Sequence, residues 1–123
     1  MFVFVYGSLR KGFGNHDVLG DSPFICTAST LVPRTLHDLG AFPAVCLDGN
    51  THIVGEVYDV DDHVFARLDM LEGYPDFYDR KIEAVEDADG QEYEAWMYYI
   101  DEDFQDTPIV ESGDWAECYE RAS

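Results

Sequence analysis

The chain opens on an unbroken apolar run, Phe2-Val3-Phe4-Val5-Tyr6, which predicts a central β-strand buried on both faces. The run stops at Gly7-Ser8, and Gly7 to Gly14 reads as a glycine-punctuated loop. Asn15 to Leu19 predicts a short helix closed by Gly20. Between Ile25 and Leu47 the pattern is interrupted by Pro33, Gly40 and Pro43. Short strands are expected near Cys26–Leu31, Arg34–Asp38 and Ala44–Leu47, with turns between them. His52 to Val60 is a stronger strand, and Gly55 inside it predicts a bulge or a close backbone approach.

The period then changes from two to about 3.6. Asp61-Asp62 begins the clearest helix, where acidic side chains satisfy free N–H groups and complement the positive end of the dipole. Val64, Phe65, Leu68 and Leu71 form its apolar stripe, and Gly73 followed by Pro75 ends it. After an aromatic-rich loop (Tyr74, Phe77, Tyr78), Lys81–Glu86 and Glu92–Ile100 alternate as strands, joined through Asp89-Gly90, a hairpin-turn pair. From Asp101 the tail is acidic, with Trp115 as a candidate anchor. Helical segments are too few to cover both faces of a sheet. The pattern therefore predicts an α+β fold, a small mixed β-barrel with one main helix and short flanking helices, rather than a doubly wound sheet. There is no internal repeat and no linker, so residues 1–123 are expected to form one domain.

Charge narrows the partners. Asp and Glu number 26 against 7 Lys and Arg, a formal net charge of -19, and such a surface repels nucleic acid and anionic membrane. Basic partners or a salt-rich environment are compatible with it. The scarcity of lysine, with only Lys11 and Lys81 present, predicts a high-salt habitat in which screening removes self-repulsion. Cys26, Cys46 and Cys118 form no C-x-x-C pair, and His16, His37, His52 and His63 are scattered, so no disulfide framework and no metal site is expected. The acidic runs Glu86–Asp89 and Asp101–Asp103 lack the alternating oxygen ligands of a calcium loop and read as solvated turns. The opening apolar run is too short to span a bilayer and has neither a basic leader nor a cleavage site, so a cytoplasmic location is expected.

Two segments carry candidate chemistry. In Tyr6-Gly7-Ser8-Leu9-Arg10 a sharp turn follows a buried strand, and successive backbone N–H groups there can hold a carboxylate or an oxyanion. A plain strand-terminating turn fits the segment as well. A phosphate loop does not, because Phe13 stands where its lysine belongs and Gly14 where its Ser/Thr belongs. The second segment is Leu68 to Pro75. At about 100° per residue Glu72 falls between Phe65 and Leu68, on the apolar stripe and in the last helical turn. Burial and the negative helix end would both raise its pKa toward the range useful for proton transfer. A glutamate at a frayed end, reaching water or paired with Arg80, is the other reading of the same position. Tyr78 is a candidate hydrogen-bonding partner for substrate or a core aromatic, and Arg80 a candidate carboxylate clamp or a surface cation. Asn15-His16 reads best as a helix cap.

Phe4-Val5-Tyr6-Gly7-Ser8-Leu9-Arg10 resembles the opening motif of the γ-glutamyl cyclotransferase-like superfamily. Gly14-Asn15-His16, Phe42-Pro43-Ala44-Val45 and Val54-Gly55-Glu56-Val57-Tyr58-Asp59-Val60 resemble the segments that follow it. Leu68-Asp69-x-Leu71-Glu72-Gly73-Tyr74-Pro75, with Tyr78-x-Arg80, resembles the stretch holding the catalytic glutamate, and Ser112-Gly113-Asp114-Trp115 the usual ending. The match is ordered, covers nearly the whole chain, and is similar to the small microbial branch near γ-glutamylamine cyclotransferase and plant avirulence-induced proteins. The resemblance implies a small mixed barrel, a Tyr6–Leu9 loop that binds the γ-glutamyl head, and Glu72 as the acid/base. The implied reaction is an internal attack of the α-amine of a γ-glutamyl compound on its γ-carbonyl, releasing 5-oxoproline with no metal or organic cofactor. A module that binds a γ-glutamyl or amino-acid-like metabolite without turning it over is the chief alternative. An acidic decoy for a basic protein has no use for a glutamate on an apolar stripe.

Overall fold

A computed structural model describes residues 1–102, 104 and 107–117. Cys118, and Asp103 of the second acidic run, lie outside the described residues. In chain order the elements are β1 (Phe2–Val5), a 3-10 turn (His16–Leu19), β2 (Phe24–Thr30), β3 (Arg34–Asp38), β4 (Pro43–Thr51), β5 (Val54–Asp59), α1 (Asp62–Glu72), β6 (Asp79–Glu86) and β7 (Glu92–Tyr99). Five strands close a barrel in the order β1-β5-β2-β6-β7, and β3 pairs with β4 in a separate two-stranded sheet. Closure comes from a parallel contact of β1 with β7 at Val3 and Trp96, while the other barrel pairs are antiparallel.

The apolar opening has a direct structural cause. Side chains alternate across a strand. Phe4 and Tyr6 enter one core with Leu36, Ile53, Val57 and Met97. Val3 and Val5 enter a second core with Leu19, Tyr58, Leu68 and Tyr98. Both faces of β1 are thus dry, which positions the turn that follows it between two packed layers. Gly55 of β5 lies so close to β1 that a Cβ there would sit 2.4 Å from the Val5 carbonyl oxygen and 2.7 Å from the Phe4 ring. The glycine therefore serves close approach; the bulge in this pair of strands falls in β2, between Phe24 and Cys26.

Two elements differ from the sequence pattern. β4 runs on through Asp48-Gly49-Asn50, because Thr51 pairs with Arg34 across a register shift. The Thr35 hydroxyl donates to the Asp48 carbonyl at 2.7 Å and Arg34 Nη1 to the Leu47 carbonyl at 2.8 Å. α1 is capped as expected, with the Asp61 carboxylate accepting from the Val64 N–H at 2.8 Å and Gly73 closing it in the left-handed region at φ 67°. Its buried face is narrower than the apolar stripe, however. Leu68 is fully buried, Val64 and Phe65 partly, and Leu71 is 41% exposed. The face that meets the barrel runs through Phe65, Leu68, Asp69 and Glu72 instead.

The tail returns across the barrel. Val110 N–H donates to the Leu36 carbonyl at 2.8 Å, Val54 N–H to the Gly113 carbonyl at 2.9 Å, and Trp115 is buried in the first core. Among the described residues no helix is long and apolar enough to cross a membrane. Gly113 has φ 74° and a Cβ there would fall 2.2 Å from the His52 carbonyl oxygen, whereas Gly90, at φ 83° in the β6–β7 hairpin, has nothing within 4 Å. Gly90→Ala should therefore cost only the left-handed backbone penalty, about 1 kcal/mol, and Gly113→Ala clearly more, about 2–4 kcal/mol, in urea denaturation. Equal losses at the two sites would contradict the close approach of the tail.

Candidate functional site

The turn after β1 is held by its carbonyl groups and flanking side chains. Arg10 N–H donates to the Gly7 carbonyl and Asn15 N–H to the Ser8 carbonyl, both at 3.0 Å. Asn15 Nδ2 donates to Ser8 Oγ at 2.9 Å, so this side chain braces the loop and does not cap the 3-10 turn as the sequence suggested. At the far end Arg10 Nη1 pairs with Asp114 at 2.7 Å, and the Lys11 N–H donates to Glu56 Oε1 at 2.9 Å. Among the described residues the N–H groups of Gly7, Ser8 and Leu9 meet no protein acceptor. Gly7 is required here by packing, since a Cβ would lie 2.8 Å from two carbons of the Pro43 ring.

Glu72, the last residue of α1, stands opposite this turn. A cavity of about 150 Å³ lies between them, lined by Val5 to Leu9, Asn15, Phe42, Pro43, Leu71, Glu72, Phe77, Tyr78 and Tyr98, with Phe4 below. Burial raises the Glu72 carboxyl from its ordinary 4.5 to about 7. Among the described residues no donor reaches its carboxylate. Its charge is felt around the cavity. Burial first, and then the Glu72 carboxylate among other neighbours, push up the phenols of Tyr6, Tyr78 and Tyr98.

The structure brings Tyr6, Gly7, Ser8, Leu9, Glu72 and Tyr78 to one cavity and leaves Arg80 outside it. Tyr6 contributes ring and main chain, because its hydroxyl donates to the Tyr98 carbonyl at 2.6 Å and accepts from the Val45 N–H at 3.3 Å. The Tyr78 hydroxyl donates to the Pro43 carbonyl at 2.7 Å, fixing the wall that meets Gly7. Arg80 neither clamps the cavity nor pairs with Glu72. Its Nη1 donates to both carboxylate oxygens of Asp69, and its guanidinium lies over the rings of Tyr74 (4.1 Å), Phe65 (4.4 Å) and Trp96 (5.0 Å). Asp69, Phe42, Pro43 and Tyr98 escaped the residue-by-residue reading. Asp69 sits three residues before Glu72, so the helical wheel that singled out Glu72 placed Asp69 on the same face. Tyr98 could be found only through the barrel closure that brings β7 beside β1. Among the described residues no three His, Cys, Asp or Glu side chains converge on a point that could hold a metal ion, and the Cys46 thiol donates to the Ile100 carbonyl at 3.0 Å.

Comparison with known proteins shows the family. Residues 3–117 match the family model described as gamma-glutamyl cyclotransferase, AIG2-like. A Methanocaldococcus jannaschii protein that carries the gamma-glutamylcyclotransferase name provisionally is 44% identical over 116 residues, covering 93% of this chain and 94% of that protein. A gamma-glutamylcyclotransferase family protein of Escherichia coli is 33% identical over 115 residues, covering 94% of this chain and 96% of the relative. The crystal structure of an AIG2-like protein from Mus musculus is similar with a TM-score of 0.80 at 26% identity, over 92% of this chain and 87% of the other. This chain belongs to the gamma-glutamyl cyclotransferase, AIG2-like family.

Proposed function

We propose that the protein is a γ-glutamyl cyclotransferase-type enzyme that converts a γ-glutamyl amide into 5-oxoproline and a free amine, with Glu72 as the acid/base. The observation that carries this reading is a carboxylate raised to about 7, without a hydrogen-bond donor among the described residues, across a small cavity from three unengaged backbone N–H groups. A carboxyl poised near neutral pH is suited to take and return protons. The α-nitrogen of the substrate bonds to its own γ-carbon, and the γ-carbon–nitrogen bond to the leaving amine breaks. The α-ammonium gives up two protons over the reaction and the departing amine gains two, so no water, oxidant or reductant enters. Glu72 carries these protons one at a time, first as base and then as acid. Because the attack is intramolecular, folding the substrate into a near-attack geometry supplies much of the acceleration. The N–H groups of Gly7, Ser8 and Leu9 supply the dipoles for the α-carboxylate or for the oxyanion of the tetrahedral intermediate.

Incubation with γ-glutamyl amides and γ-glutamyl dipeptides should yield 5-oxoproline, and binding without product would favour the non-catalytic metabolite module. Glu72→Gln should remain folded and lose turnover by a factor of about 10²–10⁴. The wild-type rate should climb on an acid limb with a midpoint at about 7, where Glu72 becomes a carboxylate. Activity of the folded Gln variant close to wild type would remove Glu72 from this role.

The same group makes stability depend on pH. Its folded pKa, about 7, lies above the ordinary 4.5, so between those values the folded chain holds a proton that the unfolded chain has lost. Its contribution is therefore intact below about 4.5, declines as pH rises to about 7, and is level above that. Glu72→Gln should abolish this segment of the profile. The variant should melt above wild type at pH 8 and together with it near pH 4.5, as read by thermal denaturation. A variant that melts lower at pH 8 would refute the uncompensated burial of the charge.

A further inference from the structure

The cavity has a polar floor and an apolar rim. Gly7 to Leu9 are buried or partly buried, whereas Leu71 is 41% exposed and Phe77 is 54% exposed on the same cavity. Phe42 joins them, with its ring 5.9 Å from that of Phe77 in an edge-to-face contact, and Phe77 in turn lies 5.1 Å from Tyr78. Large apolar side chains are exposed elsewhere too, Phe24 and Ile109 among them, but Leu71 and Phe77 are the two that line the cavity.

Volume decides what the rim meets. A cavity of about 150 Å³ is the size that holds a benzene-sized guest. A glutamyl head is of about that size, which leaves the exposed Leu71 and Phe77, with Phe42 beside them, as the apolar surface that the amine half can meet. Among the described residues Glu72 is the sole carboxylate lining the cavity and no cation lines it. A carboxylate on the leaving amine would lose water against apolar rings without gaining a cation from the cavity lining, and an ammonium seated on those rings would lose water as well.

We propose that the amine half of the substrate is an apolar aryl or alkyl group, selected by the rim of Leu71, Phe42 and Phe77. The inference rests on the reading of this cavity as a γ-glutamyl cyclotransferase site. It assigns specificity to residues that take no part in proton transfer.

The test is a panel of γ-glutamyl amides: the anilide and the butylamide, γ-glutamylglycine, and the monoamide of a diaminobutane. 5-Oxoproline is measured at low and at high salt, so that the field of the acidic surface is separated from the chemistry of the rim. Expected is kcat/KM at least about tenfold higher for the anilide and butylamide than for the glycine and diamine compounds at both salt concentrations, the scale on which an apolar pocket discriminates. Phe77→Ala and Leu71→Ser, both at exposed positions, should each lower the anilide-to-glycine ratio of kcat/KM several-fold. A preference for glycine or the diamine, or a ratio unmoved in both variants, overturns this inference while leaving the cyclotransferase reading in place. No 5-oxoproline from any compound, with the protein shown to be folded, overturns that reading and this inference with it.

Discussion

The site depends on one uncompensated charge. α1 turns two carboxylates toward the barrel, three residues apart, and treats them oppositely. Asp69 receives Arg80 on both oxygens and the Tyr98 hydroxyl at 2.6 Å. Glu72 receives no such partner among the described residues and faces the cavity. The first pair gives the second its position. Arg80 lies beneath three aromatic rings and joins α1 to β6 through Asp69, which holds the helix end against the barrel although Leu68 is the only residue of α1 that is fully buried. Burial without a donor favours the neutral carboxyl, and that is what brings Glu72 into the range of proton exchange at neutral pH.

The opposite wall has the complementary property: donors fixed in place without acceptors. β1 is dry on both faces, so the chain leaves it at a defined point and height. Gly7 lies flat on Pro43, and Pro43 is held by the Tyr78 hydroxyl. Beyond the turn, Arg10 is tied to Asp114 in the returning tail, and Glu56 receives the Lys11 N–H and the Tyr58 hydroxyl. Nothing in this bracing uses the N–H groups of Gly7, Ser8 and Leu9. Dipoles that are already oriented need no rearrangement when charge develops in front of them, which is the physical basis of their value in acyl chemistry.

These relations divide sharply into those legible along the chain and those not. β1, β5, the β6–β7 hairpin and α1 were readable because their signals are local: an apolar run, alternation, a turn pair, a cap and a stop. Glu72 was readable because a carboxylate on an apolar stripe violates the local rule. Asn15 was misread because its side-chain partner is Ser8, seven residues back, and not the turn it precedes. The expected strand ends at Leu47, and β4 runs on through Asp48-Gly49-Asn50 because Thr35 and Arg34, thirteen residues from their acceptors, supply its hydrogen bonds. Leu71 belonged to the stripe by spacing, yet it lies on the cavity rim because the axis of α1 is set by Arg80 and Asp69 and not by the widest apolar arc. Periodicity gives the order of residues around a helix, whereas a long-range ion pair selects which part of that order faces inward.

The scarce cations complete the account. Arg34 is buried against Glu83, with its guanidinium donating to both carboxylate oxygens at 2.8 and 2.9 Å. Arg10 is held by Asp114 and Glu56, and Arg80 by Asp69. Breaking such a pair leaves a buried charge behind, so these residues are bound to the fold and cannot be diverted to a ligand. In the proposed reaction the anionic substrate head would be met by the main-chain dipoles of Gly7 to Leu9, which carry no net charge and require no counter-ion of their own. A turn of free N–H groups suits a protein whose seven cations face 26 acids, because it adds attraction for a carboxylate without drawing a cation away from the core.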